Sequence, residues 1–171
     1  MRGAECKVPV SNRPMRTTLI AIVLLASGFA QQARPNFSGE WVLAKDRSSQ
    51  QMNGAVVVSV TGLLGEKFTA TQDSKTLVLD ISLSGLPKPI RAVYNLDGSE
   101  SRNINPPDEP IFSKVSWDDR KLVIKTRGSA LVNGKPTEST RVIWIDGDGS
   151  FTIERSSEGQ PTTRSVYTRA R

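Results

Sequence analysis

The stretch "TLVLDISL" at 76–83 alternates strictly: Leu77, Leu79, Ile81 and Leu83 share one face, and Val78, Asp80 and Ser82 the other. Apolar residues at a period of two mark a strand with one face in a core and one in water. The same rhythm recurs in "FSGEWVL" (37–43), "AVVVSV" (55–60), "EKFTAT" (66–71), "IRAVYNL" (90–96), "IFSKVSW" (111–117), "KLVIKTR" (121–127), "TRVIWI" (140–145), "SFTIER" (150–155) and "TTRSVYTR" (162–169). Between these segments lie "QDSKT", "LDGSE", "WDDRK", "VNGKP", "DGDGS" and "SEGQP". Asn-Gly and Asp-Gly supply the positive φ angles that tight hairpins need. No stretch of helical length carries an apolar stripe at the ~3.6-residue spacing of a helix. The pattern predicts an all-β chain: a single antiparallel up-and-down β-barrel of about 8–10 strands. Two segments break the rhythm, "AKDRSSQQMNG" (44–54) and "NINPPDEP" (103–110). The prolines of the second place it outside the sheet, as a loop crossing one end of the barrel.

Ahead of this pattern, "TTLIAIVLLASGFA" (17–30) follows Arg13 and Arg16 and closes on Gly28 and Ala30. A basic flank, an apolar run shorter than the ~20 residues of a membrane span and a small-x-small end read as a secretory signal peptide. The expected organisation is a signal peptide over 1–30, with Met15 an alternative start, and a barrel domain over 31–171. The expected address is secreted or periplasmic, with no membrane span. Cleavage removes Arg2, Lys7, Arg13, Arg16 and Glu5, so the net charge falls from +6 by three to +3. So small an excess, without a basic cluster, argues against nucleic acid as a partner.

The 171 residues include no histidine, and the single cysteine, Cys6, leaves with the leader. Ser-His-Asp and Cys-His catalysis, and zinc sites built on His or Cys, are therefore excluded from the mature chain. "DGDGS" (146–150) offers Asp146, Asp148 and Ser150 at the spacing of a calcium loop, but Phe151 stands where glycine belongs and Ser157 where the bidentate glutamate belongs. It reads as a hairpin turn. The paired carboxylates Asp118 and Asp119 sit in the turn "WDDRK" and read as solvated. The expectation is a chain that is not an enzyme and carries no metal and no cofactor.

"NFSGEW" (36–41) has Asn36, Gly39 and Trp41 in the pattern N-x-x-G-x-W. This resembles the first signature of the lipocalins and, more loosely, of the calycin barrels that include fatty-acid-binding proteins and avidins. The chain is also similar to small exported bacterial proteins of lipocalin-like type. The resemblance implies that Trp41 closes the bottom of the barrel, that Gly39 lets the first strand bend there, and that an arginine near the last strand, Arg164 or Arg169, packs across the indole. It further implies an interior able to take a small apolar ligand. Tyr167-Thr168-Arg169 in the last strand is the reverse of the arginine-x-tyrosine pair with which fatty-acid-binding proteins often hold a carboxylate.

From periodicity, Tyr94, Ser113, Thr126 and Trp144 are the candidate ligand-binding residues: Tyr94 with Ile90 and Ala92, Ser113 with Ile111 and Val115, Thr126 with Leu122 and Ile124, and Trp144 with Thr140 and Val142. On those faces Arg91, Arg127 and Arg141 point to solvent. That leaves no cation inside and predicts a neutral or weakly polar ligand. The alternative is a filled barrel acting as a structural or protein-interaction module of the cell envelope. No protein partner is legible in the sequence.

Overall fold

The computed structural model describes residues 33–49, 64–83, 88–105, 108–132 and 135–171. The expected signal peptide and the expected strand at 55–60 lie outside them. The described residues form ten strands: β1 Gly39–Leu43, β2 Lys67–Gln72, β3 Thr76–Ser82, β4 Ile90–Asn95, β5 Ser101–Asn105, β6 Glu109–Asp118, β7 Lys121–Val132, β8 Lys135–Ile145, β9 Phe151–Ser157 and β10 Gln160–Arg169. One short 3₁₀ turn, Lys45–Arg47, follows β1. The sheet order is β4-β3-β2-β1-β10-β9-β8-β7-β6-β5, antiparallel throughout, so every strand pairs with its chain neighbours except β4 with β5, and β1 pairs with β10. This is an up-and-down antiparallel sheet nearly closed into a barrel.

The two ends of the sheet, β4 and β5, share no backbone ladder. Side chains bridge them instead. Asn103 accepts from the Val93 amide through Oδ1 at 2.7 Å and donates to the Val93 carbonyl through Nδ2 at 3.0 Å. Ser101 Oγ accepts from the Asn95 amide at 2.7 Å. An asparagine side chain can mimic one peptide unit of a missing strand, satisfying backbone groups that burial would otherwise leave unpaired.

The expectation that 103–110 crosses the barrel end as a loop is corrected here. Residues 101–105 are strand β5, and its hairpin with β6 pairs Ile104 with Pro110 and Asn105 with Glu109. Pro110 is tolerated because it lies beyond the ladder with β7, which begins at Ile111 opposite Gly128. β5 was illegible because its polarity is inverted: Ser101 and Asn103 are buried while Arg102 and Ile104 are exposed.

The core gathers at the end where β1 enters. Phe37, Trp41, Phe68, Phe151 and Tyr167 are all 0–1% exposed. Their rings touch in series, with Phe68 to Tyr167 at 4.9 Å, Phe68 to Phe151 at 5.1 Å and Trp41 to Phe151 at 5.3 Å between centroids. Trp41 Nε1 donates to the Phe37 carbonyl at 3.0 Å, and the Tyr167 hydroxyl to the Gly65 carbonyl at 3.2 Å. Burial raises the Tyr167 phenol above its ordinary range. Leu77, Leu79, Ile81, Ala92, Leu122, Ile124 and Ile143 carry the apolar lining up the walls.

Candidate functional site

At the closed end, the glycine two residues before the tryptophan has a steric reason. Gly39 has φ of +147°, and a Cβ there would stand 2.5 Å from Arg169 Nη1. The guanidinium occupies that space: Arg169 Cζ lies 4.7 Å above the Trp41 ring, and Nη1 donates to the Ser38 carbonyl at 3.1 Å. Arg164 is elsewhere. It lies 5.7 Å over Trp144 and 3.6 Å from Asp146. Of the two candidate arginines, Arg169 covers Trp41.

Further along the interior the wall turns polar. Tyr94, on β4, is fully buried and accepts a 2.6 Å hydrogen bond from Arg141 Nη2, on β8 across the barrel. Ser113 and Thr126, cross-strand partners on β6 and β7, are buried and share a hydrogen bond of 2.9 Å. Three of the four ligand candidates thus face inward. Trp144 does not. It lies on the outer wall, donating from Nε1 to Asp146 Oδ1 at 2.7 Å, with Lys121 Nζ 4.9 Å over its ring.

The misplacement of Trp144 and of Arg141 has one cause. On β8 the inward residues are Arg141 and Ile143, not Thr140, Val142 and Trp144. Both triplets of "TRVIWI" contain apolar members, and choosing the wrong one sends every side chain to the opposite wall. The register shift between Arg127 and Leu131 in the β7–β8 ladder amounts to two residues and keeps the parity, so the inward Leu122, Ile124 and Thr126 of β7 pair with Ile143, Arg141 and Ser139 of β8. Arg91 and Arg127 are outside as expected, Arg91 paired with Asp80 at 2.9 Å and Arg127 over Phe112 at 5.5 Å. Arg141 is 1% exposed, so the expectation of an interior without a fixed cation is overturned.

A second guanidinium adjoins it. Arg155 on β9 is the direct cross-strand partner of Arg141 and shares the inward side with Phe151 and Ile153. Burial, followed by the charge of Arg141, lowers the pKa of Arg155. Among the described residues neither arginine pairs with a carboxylate. The next inward row runs Ser113, Thr126, Ser139 and Ser157 across β6 to β9. A buried charge without a counter-charge is costly.

On the outer wall a hollow of about 370 Å³ lies among Phe112, Lys114, Lys125, Arg127, Glu138 and Thr140. "DGDGS" is a turn: the Asp146 amide donates to the Ser150 carbonyl at 2.8 Å. Asp148 accepts from the Ser150 amide and pairs with Arg47 at 2.9 Å. No helix among the described residues is long and apolar enough to cross a membrane.

No family model and no curated protein matches the chain by sequence. Solved structures do match in fold. The chain is similar to a protein described as the REP1-NXSQ fatty acid transporter (TM-score 0.56, 13% identity, covering 78% of this chain and 96% of that one). It is similar to apo lipid binding protein 8 of Caenorhabditis elegans (TM-score 0.55, 13% identity, 78% and 95% covered). A third match is fatty-acid-binding protein 1 of Echinococcus granulosus (TM-score 0.53, 12% identity, 79% and 98% covered). The fold is a calycin-type, lipocalin-like β-barrel.

Proposed function

We propose that this chain is a non-catalytic, exported carrier or sensor that binds a small amphipathic molecule inside the barrel, apolar body on the apolar lining and anionic head on Arg141. The observation that carries the reading is Arg141: fully buried, hydrogen-bonded to Tyr94 from the opposite wall and without a carboxylate partner among the described residues. Charge-assisted hydrogen bonds to a guanidinium are the strong ones, and Tyr94 holds this guanidinium in position before any ligand arrives. The names of the structural neighbours, fatty acid transporter and lipid binding protein, agree with this reading. Export rests on Arg13, Arg16, the apolar run and Ala30. N-terminal sequencing of the protein from its own host should begin at Gln31; an intact leader in the cytoplasm contradicts it.

The test of binding is displacement of an apolar fluorescent probe from delipidated protein by palmitate and by hexadecanol. Palmitate should bind at least about tenfold tighter, and Arg141→Gln should remove that advantage. Equal binding of acid and alcohol by the unmodified protein overturns the role of Arg141. A second reading, a packed barrel serving as an envelope interaction module, is supported by the ring cluster around Trp41 and by the outer hollow, lined by both basic and acidic side chains. Failure of every amphiphile to bind selects it.

A further inference from the structure

We propose that the head group is a dianion of the phosphate-monoester type and that Arg155 is the residue that selects it; this rests on the reading of Arg141 above. Among the described residues, four buried side-chain atoms lack a hydrogen-bond partner: Trp117 Nε1, Arg141 Nε, Arg155 Nε and Ser157 Oγ. Three of the four adjoin one another. Arg141 and Arg155 are directly opposite across the β8–β9 ladder, and Ser157 is the next residue along the same side of β9. Buried polar atoms are nearly always satisfied, so three orphans at neighbouring positions mark where a hydrogen-bonding ligand belongs.

Charge fixes the kind of ligand. Two guanidiniums side by side repel one another, and a cross-strand pair of like charges destabilises the sheet that carries it. One carboxylate neutralises half of this pair. A phosphate monoester carries about −1.5 to −2 at neutral pH and three strong acceptor oxygens, enough for both forks and a neighbouring hydroxyl. The hydroxyl row from Ser113 to Ser157 stands beside the arginines on the side away from the ring cluster. Among the described residues, inward-facing charge from the remaining strands is sparse. Tyr94 is the group contributed by β4. Glu109 stands three inward positions beyond Val115, the residue level with Arg141, and has an interaction of its own.

The experiment compares hexadecyl phosphate with its O-methyl diester on the delipidated full chain, by calorimetry below micellar concentrations. The two share chain and tetrahedral head and differ in the second charge. At about pH 7.5 the monoester should bind at least roughly tenfold tighter than the diester, and at about pH 5.5, below the second phosphate pKa near 6, the ratio should fall to about threefold or less. The chain has no histidine, so no side chain of ordinary pKa titrates in that window and the change reports the ligand. Arg155→Gln should weaken monoester binding at least about tenfold and bring the ratio to near one, and Arg155→Lys should keep part of the ratio. Circular dichroism of each variant establishes that it is folded. Equal affinity for both probes in the unmodified protein overturns the dianion proposal while leaving the carrier reading intact. Failure to bind these probes or palmitate overturns both.

Discussion

Trp41 and Arg141 are both large and both buried, at 0% and 1% exposure, yet their surroundings are opposite. Trp41 itself is satisfied: the Phe151 ring lies at 5.3 Å, Nε1 donates to the Phe37 carbonyl and Arg169 lies across the ring. Around Arg141 the satisfaction is partial, with one hydrogen bond to Tyr94 and unpaired nitrogens on Arg141 and Arg155. The closed end gains stability from apolar packing, and in the proposed reading the polar region gives up stability for a ligand. Sites that bind are commonly built on such terms.

The largest expected effect breaks the closed end. Trp41→Ala removes a fully buried indole from the cluster and should destabilise the fold by on the order of 3–5 kcal/mol in a denaturant titration. A change within error would place the stabilising core elsewhere. The opposite sign is expected at the polar region. Arg141→Met exchanges a buried charge without a carboxylate partner among the described residues for a side chain of similar length, and should stabilise the ligand-free protein by about 1–4 kcal/mol while abolishing binding of anionic amphiphiles. Loss of stability on that substitution would show that Arg141 is a structural group with its charge already balanced, and would remove the contrast.

The seam between β4 and β5 is a third kind of construction, with side chains in place of a ladder. Asn103→Ala leaves the buried amide and carbonyl of Val93 without partners and should cost roughly 1–3 kcal/mol. Hydrogen exchange should quicken first at Val93 and Asn95, whose amides are held by Asn103 and Ser101. Unchanged exchange there would mean that the seam is closed by other contacts.

How far these regions could be read from the sequence follows from the same chemistry. Apolar period two exposed the barrel, because apolar packing writes itself as a repeating pattern, and the closed end at Trp41 was implied by the resemblance that N-x-x-G-x-W carries. β5 escaped because its buried residues, Ser101 and Asn103, are polar and work as substitutes for backbone. Arg141 escaped because an inward arginine looks like an outward one, and in "TRVIWI" Trp144 drew the apolar face to the wrong side. A usable signal lay one hairpin on. In "SFTIER" the face of Phe151 and Ile153 also carries Arg155, so an apolar face with an arginine at its far end was already written in β9.

The smallest expected effect tests whether the polar wall is packed like the closed end or open like a binding site. Ser113 and Thr126 share one buried hydrogen bond of 2.9 Å. If that wall is packed, Thr126→Val leaves the Ser113 hydroxyl without a partner and costs about 1 kcal/mol. Adding Ser113→Ala then removes the orphan, and the double variant returns close to the parent stability. The cycle gives a coupling energy of roughly 0.5–1 kcal/mol. If ligand or water reaches the wall, the freed hydroxyl finds another partner, the single change is near neutral and the coupling vanishes. Repeating the cycle with hexadecyl phosphate bound extends the comparison. Coupling in the free protein that disappears on binding would place the head group against the hydroxyl row, and coupling unchanged by ligand would assign Ser113 and Thr126 to the barrel wall alone.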